Sequence, residues 1–315
     1  MRYKNDIVDF GEKVMNKFYS GYTAIIGLPN VGKSTLMNSI LKNKISIVSD
    51  KAQTTRKNIL GVLTDENSQI IFLDTPGIHK ARNKLGEFMM KSVKNSLEDA
   101  DIIVYVVDCT SKIGLIKILA DANRTLSDPN NIKKILVLNK IDLISKRDLL
   151  LIIEKCSEIF ESQIHEIVPV SAINCDGIDI LIDLIKKSLK EGPKYYLDDD
   201  ITNQTERNMV AEIVRESLIC NLKYEIPFGI AVQVENFRKR DNAEIIDLEI
   251  KVYCEKDSHK RIIIGHNGEK LKKIGSESRK EIEILLKSKV YMILWVKVNH
   301  DWRNKTDKLR NLGYI

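Results

Sequence analysis

Between Tyr22 and about Lys190 the chain alternates short, almost wholly apolar runs with longer segments in which apolar residues recur every three or four positions. The runs are "YTAII", "IIFLD", "IIVYVVD", "KKILVLN" and "EIVPVSA"; the helical segments include "KLGEFMMKSVKNSLEDA" and "GIDILIDLIKKSLK". Strands that are apolar throughout must be covered on both faces, and strands separated by helices pair in parallel. This part therefore predicts an α/β domain built on a doubly wound, mostly parallel sheet. After Glu191 the alternation stops. The turn-rich acidic stretch "GPKYYLDDD" leads to an amphipathic helix ("ERNMVAEIVRESLICNLK"), two alternating strands ("FGIAVQVENF", "EIIDLEIKVYC"), a basic helical pair around "GHNG" and a last strand, "VYMILWVKV". This second pattern predicts a smaller α+β domain. The expected organisation is an extension over residues 1–20, the α/β domain over 21–191, a linker over 192–204, and the second domain with a C-terminal tail over 205–315.

In open α/β sheets, ligands bind beyond the carboxyl ends of the strands, so the residues right after each apolar run are the candidates for chemistry. The first run is followed by Gly27-Leu28-Pro29-Asn30-Val31-Gly32-Lys33-Ser34-Thr35, the phosphate-binding pattern G-x-x-x-x-G-K-[ST] in its required strand-to-helix setting. Gly27 and Gly32 let the backbone amides turn toward phosphate, and the helix that follows adds its positive N-terminal end. Lys33 is placed to meet the β and γ phosphates, and the Ser34 hydroxyl to meet magnesium. This loop alone does not separate ATP from GTP. "LNKID" does: Asp142 can accept from both N1 and N2 of guanine, a pattern adenine lacks, and a buried carboxylate left unpaired by the wrong base is costly. Asn139 is expected to anchor the loop, the Lys140 stem to cover the base, and "VSAIN" to present the Ala172 amide to guanine O6 from a turn shaped by Ser171 and continued by Ile173.

Two further segments lie between these. In "DTPGI" (Asp74, Thr75, Pro76, Gly77, Ile78), Asp74 suits an outer contact to magnesium and the Gly77 amide can reach a γ phosphate. In "AQTTR" (Ala52 to Arg56), Thr55, with Thr54 as the alternative, completes the magnesium shell from a mobile loop. His79 is read as a surface residue beside this loop. The sequence thus predicts a guanine-nucleotide switch.

The charge of +6 changes the picture only through its placement. Residues 251–315 carry 16 Lys or Arg against 8 Asp or Glu, a balance of +8, which leaves −2 for everything before them. The basic end contains "RIIIGHNGEKLKKIG", where Gly265-His266-Asn267-Gly268 opens a helix among Arg261, Lys270, Lys272 and Lys273. Two glycines with a helix N-terminus can clamp the backbone of about four single-stranded nucleotides, as a KH module does. Ile262, Ile263 and Ile264 are read as the floor of an aliphatic base groove, and Phe237, Tyr253, Tyr291 and Trp295 as strand residues with a core role. Five scattered cysteines imply no disulfide framework or zinc site. No apolar run nears the ~18 residues of a membrane span, so a cytoplasmic protein is expected.

Together, "GLPNVGKST", "AQTTR", "DTPGI", "NKID" and "SAIN" resemble the translation-factor-related GTPases, in the branch that holds Era, the tRNA-modification GTPase and Der. The GxxG domain that follows, "HKARNKLGEFM" and the closing Asp301-Trp302-Arg303 and Leu-Gly-Tyr narrow the resemblance to the Era family over about residues 20–315. The resemblance implies a P-loop GTPase domain followed by a KH-type RNA-binding domain. It also implies binding of GTP/GDP with magnesium and slow GTP hydrolysis. The implied partners are the 3′ region of small-subunit ribosomal RNA and the 30S subunit, with a role in that subunit's assembly and rRNA maturation. A monomer is expected, and the same resemblance implies weak peripheral membrane association. Ile78 stands where many small GTPases have a glutamine that orients water, so charge stabilisation must come from elsewhere. In the resembling branch an asparagine matching Asn30 helps hold a potassium ion there. Leu28 in place of an arginine, "ITNQTER" without its proline, and the first twenty residues depart from the family pattern. Two other functions fit parts of the sequence: a GTPase of a neighbouring family acting through protein contacts, and a non-enzymatic RNA-binding scaffold. Target binding that survives deletion of residues 193–315 would mark the former, and absence of turnover with the target present the latter.

Overall fold

The computed structural model describes residues 17–51, 53–110, 132–160, 164–240 and 244–315; the first sixteen residues of the predicted extension and Ala52 of "AQTTR" lie outside them. The apolar runs become β1 (Tyr19–Gly27), β3 (Ser68–Asp74), β4 (Ile102–Asp108), β5 (Lys133–Asn139) and β6 (Glu166–Val170). Between the first two lies β2 (Ile59–Thr64), a strand the run pattern does not separate from the loop before it, and β7 (Lys190–Glu191) adds briefly to the start of β1. The order is β2-β3-β1-β4-β5-β6, antiparallel only at β2 and β7. Consecutive strands diverge to either side of β1, which makes its carboxyl end the switch point where a crevice forms.

Both faces are covered, as continuous apolar strands require. Helices α1 (Lys33–Leu41) and α4 (Ile178–Ser188) cover one face, with Leu36, Met37, Leu181 and Ile185 buried against Ile25, Phe72 and Val137. Helices α2 (Lys84–Glu98) and α3 (Lys146–Phe160) cover the other, with Val93, Cys156 and Phe160 against Ile26, Ile103 and Leu136. The segment after β7 is sewn to the first sheet: Val62 N–H donates to the Ile201 carbonyl (2.8 Å), Thr202 Oγ1 to Leu60 O (2.6 Å), and Gln69 Oε1 accepts from the amides of Tyr195 and Tyr196.

The remainder runs α5 (Glu206–Asn221), β8 (Ala231–Lys239), β9 (Ile245–Cys254), α6 (Asp257–Ile264), α7 (Glu269–Leu286), β10 (Lys289–Val298) and α8 (Thr306–Asn311). Its sheet, β10-β9-β8, is antiparallel at β8–β9 and parallel at β9–β10. Val214, Leu218, Ile274 and Ile282 bury its helical side against Ile250 and Val252. The strand aromatics divide: Phe237 packs on this core, but Tyr291 and Trp295 are each 56% exposed. They lie on the sheet face turned away from the helices, because strand alternation sends every second residue there. Among the described residues no helix is long and apolar enough to cross a membrane, and all five cysteines are free.

Candidate functional site

Gly32 holds φ at 96°, and a Cβ there would lie 2.3 Å from Asn139 Nδ2, so only glycine lets the loop after β1 pass this close to the loop after β5. Asn139 joins the two: its Nδ2 donates to Val31 O (2.8 Å) and its Oδ1 accepts from Ala172 N–H (3.0 Å). Lys140 crosses to the same loop, donating to Asn30 O (2.9 Å) and pairing with Asp108 (2.5 Å). Asp108, which no sequence motif marks, is the last residue of β4 and so sits where strand ends carry function. Burial works against its charge, but hydrogen bonds from Lys140 and Thr110 prevail and hold its carboxyl below the usual range. A cleft of about 380 Å³ opens over this loop, lined by Pro29, Asn30, Lys33, Ser34, Thr35, Thr54, Thr55, Gly77, Lys140 and Ile173.

At the cleft floor three groups converge. Ser34 Oγ donates to Asp74 Oδ2 (2.8 Å) and lies 2.9 Å from Thr55 Oγ1. Asp74 is fully buried, its Oδ1 has no hydrogen-bond partner, and burial raises its pKa against the pull of Lys33 and the neighbouring hydroxyls. An orphaned carboxylate oxygen beside two hydroxyls fits a hard divalent cation. Lys33 reaches back to Gly27 O (3.2 Å) and Leu28 O (2.8 Å), and desolvation lowers its pKa to about 8 although Asp74 opposes this. Thr75 Oγ1 ties the segment after β3 to Ile25 O (2.8 Å), and Ile78 N–H donates to Gly27 O (3.0 Å). The Ile78 side chain packs on the sheet core. His79 is half-buried, with Nδ1 2.8 Å from Gly77 O. Asn30 Nδ2 donates to Asp50 O (2.7 Å).

Two details differ from the sequence reading. Asp142 is exposed, accepting from Ser171 Oγ (2.6 Å), so the dry environment assumed for its choice of base must be supplied by the bound base itself. The Ala172 amide is already engaged by Asn139, which leaves it to be shared with guanine O6. Ile173, 75% exposed, stands at the rim of the cleft.

In the second part, Gly265, Asn267 and Gly268 all hold positive φ (76°, 48° and 79°), and a Cβ on Gly268 would meet nothing within 4 Å. The turn therefore offers an open backbone approach at the start of α7. His266, Asn267, Arg261, Lys272 and Lys273 are exposed around it, and Lys270 is half-buried. Of the three isoleucines expected to floor a base groove, Ile263 is instead fully buried in the core, Ile264 is half-buried against it, and Ile262 faces solvent, as the 100° step of a helix requires. A groove of about 510 Å³ runs between α7 and β10, formed by Leu271, Lys272, Gly275, Arg279, Met292 and Leu294. The i, i+4, i+8 spacing of Leu271, Gly275 and Arg279 was the available signal.

A profile described as a 50S ribosome-binding GTPase matches residues 22–140, and a KH-domain profile matches residues 225–303. The chain is 48% identical to the GTPase Era of Clostridioides difficile (strain 630), over 94% of this chain and 99% of that protein. It is 47% identical to the GTPase Era of Caldicellulosiruptor saccharolyticus over 94% and 98%. Among solved structures, Era in complex with MgGDPNP and nucleotides 1506–1542 of 16S ribosomal RNA superposes with a TM-score of 0.90 at 39% identity, covering 94% of this chain and 99% of that one. A variant of Aquifex aeolicus Era bound to GDP·AlF4− gives 0.87 at 38% identity, with the same coverage.

Proposed function

The chain belongs to the Era family of GTPases, and on that premise we propose how its residues divide the work. It is a GTPase that takes guanine nucleotide with magnesium and binds the 3′ region of small-subunit ribosomal RNA through its KH domain, in assembly of that subunit. One observation carries this reading: the five nucleotide motifs meet at the carboxyl end of β1, in the same chain as an open GxxG turn beside a groove.

Residues 27–35 cradle the phosphates, with Lys33 on the β and γ groups. Ser34 and Thr55, with Asp74 behind them, would hold magnesium, which would neutralise charge on those oxygens when bound. Asp142 reads the guanine edge, Ser171 orients Asp142, and Asn139 locks the base loops to the phosphate loop. The Gly77 amide senses the γ phosphate. The apolar Ile78 leaves the transition-state charge to another donor. We assign that role to a potassium ion that the side-chain oxygen of Asn30 would help hold, its Nδ2 being tied to Asp50 O. On the KH side, backbone groups at 265–268 with Arg261, Lys270, Lys272 and Lys273 meet phosphates, while Leu271, Met292 and Leu294 receive bases. The protein works as a monomer in the cytoplasm; weak attachment to the inner membrane surface completes the proposal.

The test is to crosslink the protein to total RNA with GTP analogue or GDP bound and to sequence the attached fragments. Fragments from the 16S 3′ end, with yields that differ between nucleotides, support the reading. Fragments spread over unrelated RNAs refute it, since a switch works only if the two states differ in affinity.

A further inference from the structure

Thr55 supplies the hydroxyl beside Ser34 and Asp74, and both of its neighbours in the chain are anchored on the KH side of the molecule. Arg56, the next residue, is 3% exposed. Its Nη1 donates to Ile230 O (2.5 Å) and Tyr314 Oη (3.3 Å), and its Nη2 to Phe228 O (3.1 Å) and Pro227 O (3.3 Å). The guanidinium carbon stands 5.8 Å from the centre of the Trp302 ring. All these acceptors are neutral, and burial lowers the Arg56 pKa. On the other side of Thr55, the Thr54 carbonyl accepts from Arg215 of α5, itself ion-paired with Glu212. Further back, Lys51 donates to the Ile219 and Leu222 carbonyls at the end of α5, and Val48 N–H to Glu216 (2.9 Å).

The far anchor is equally built. Trp302, fully buried, donates Nε1–H to Gly229 O (2.9 Å), which pins the turn that receives Arg56. It stacks on Tyr314 (centroids 5.7 Å apart, planes at 20°) and packs with Leu309 against Leu85 and Met89 of α2. The C-terminal tail thus touches the segment just before β2 and helix α2 together.

We propose that Arg56 is a positioning residue for GTP hydrolysis: its fork, seated on the 227–230 turn and the C-terminal tail, sets where the Thr55 hydroxyl stands. This rests on the reading of Thr55 as the magnesium-side hydroxyl and of RNA as the KH ligand. A guanidinium delivers several N–H groups in one rigid plane, and an ammonium cannot reproduce that pattern. The coupling is reciprocal: whatever RNA does to the 227–230 turn reaches Thr55, and whatever the γ phosphate does to Thr55 reaches the KH domain.

The experiment compares full-length wild type, Thr55→Ala and Arg56→Lys for GTP turnover, its magnesium dependence, GDP affinity, melting temperature, and affinity for a 16S 3′-end RNA oligonucleotide in GTP-analogue and GDP forms. For Arg56→Lys the expected result is turnover down about tenfold, the magnesium half-saturation raised, and the GTP-to-GDP ratio of RNA affinities drawn toward one. GDP affinity stays within about twofold, because the Thr55 hydroxyl is needed with the triphosphate. Trp302→Phe, which keeps a ring but removes the bond to Gly229, should give the same pattern more weakly. If Thr55→Ala lowers turnover while Arg56→Lys leaves turnover, magnesium dependence and the RNA ratio unchanged, the Arg56 proposal is overturned and the site reading stands. If neither variant changes them, the reading of Thr55 falls and the proposal falls with it.

Discussion

Lys33 makes a prediction that can be worked from the structure. Its ammonium is almost completely removed from water, and desolvation, only partly offset by Asp74, brings its pKa in the free protein to about 8 instead of 10.5. Bound phosphates favour the charged form, so the bound pKa lies far above the free one. The apparent dissociation constant then grows as one plus ten to the power (pH − 8), which gives about a fivefold loss of affinity between pH 7 and pH 8.7. An ordinary exposed lysine would leave affinity flat over that interval. The stability of the free protein should run the other way. Because the folded pKa is lowered, the unfolded chain binds the extra proton between about pH 8 and 10.5, so the burial penalty from this group is full below 8 and fades as pH rises through that window. Titration calorimetry with GDP in buffers of different ionisation enthalpy measures both the affinity and the protons taken up, about half a proton per site at pH 8. The upper limit should stay below the pH at which guanine loses its own N1 proton. Affinity that is constant from pH 7 to 8.7, with no proton uptake, would refute the argument that burial controls this lysine.

Other outcomes follow from the same geometry. Turnover should be faster in potassium than in sodium, and Asn30→Ala should abolish that difference; equal rates in the two salts in wild type would remove potassium from the site. Trp302→Ala leaves a large hole under Tyr314, Leu85 and Met89 and should cost about 3–5 kcal/mol in urea unfolding, whereas a loss below about 1 kcal/mol would mean that the tail is not part of the packed core. Lys272→Ala, at the lip of the groove between α7 and β10, should lower the slope of log affinity for RNA against log salt by about 1 and leave GTP turnover without RNA untouched. An unchanged slope would place the phosphates elsewhere.

The chain order of apolar runs and polar strand ends is enough to bring the candidate nucleotide motifs to one edge of the fold. Strand ends, glycine loops and side-chain types are local properties, and the parallel sheet converts their order into a shared edge: Gly32, Asn139 and Ala172 are far apart in sequence yet meet because β1, β5 and β6 all end there. β2 was hidden because it follows a polar loop without a break and pairs antiparallel with β3. In "RIII", three apolar neighbours give no periodicity that says which one the sheet will bury, and the fold buries Ile263.

By itself, then, the sequence determined which chemistries are present and in what order along the chain, because phosphate loops, guanine acceptors and GxxG turns depend on residues within a few positions of one another. What only the tertiary structure decided is who holds them. Arg56 reads as one more cation after a threonine pair, and its seat on carbonyls 171 to 174 residues away, with a tyrosine 258 away, comes into being only when two separate cores fold and pack. A buried guanidinium is tolerated only where converging acceptors replace its water, and no local pattern specifies that convergence.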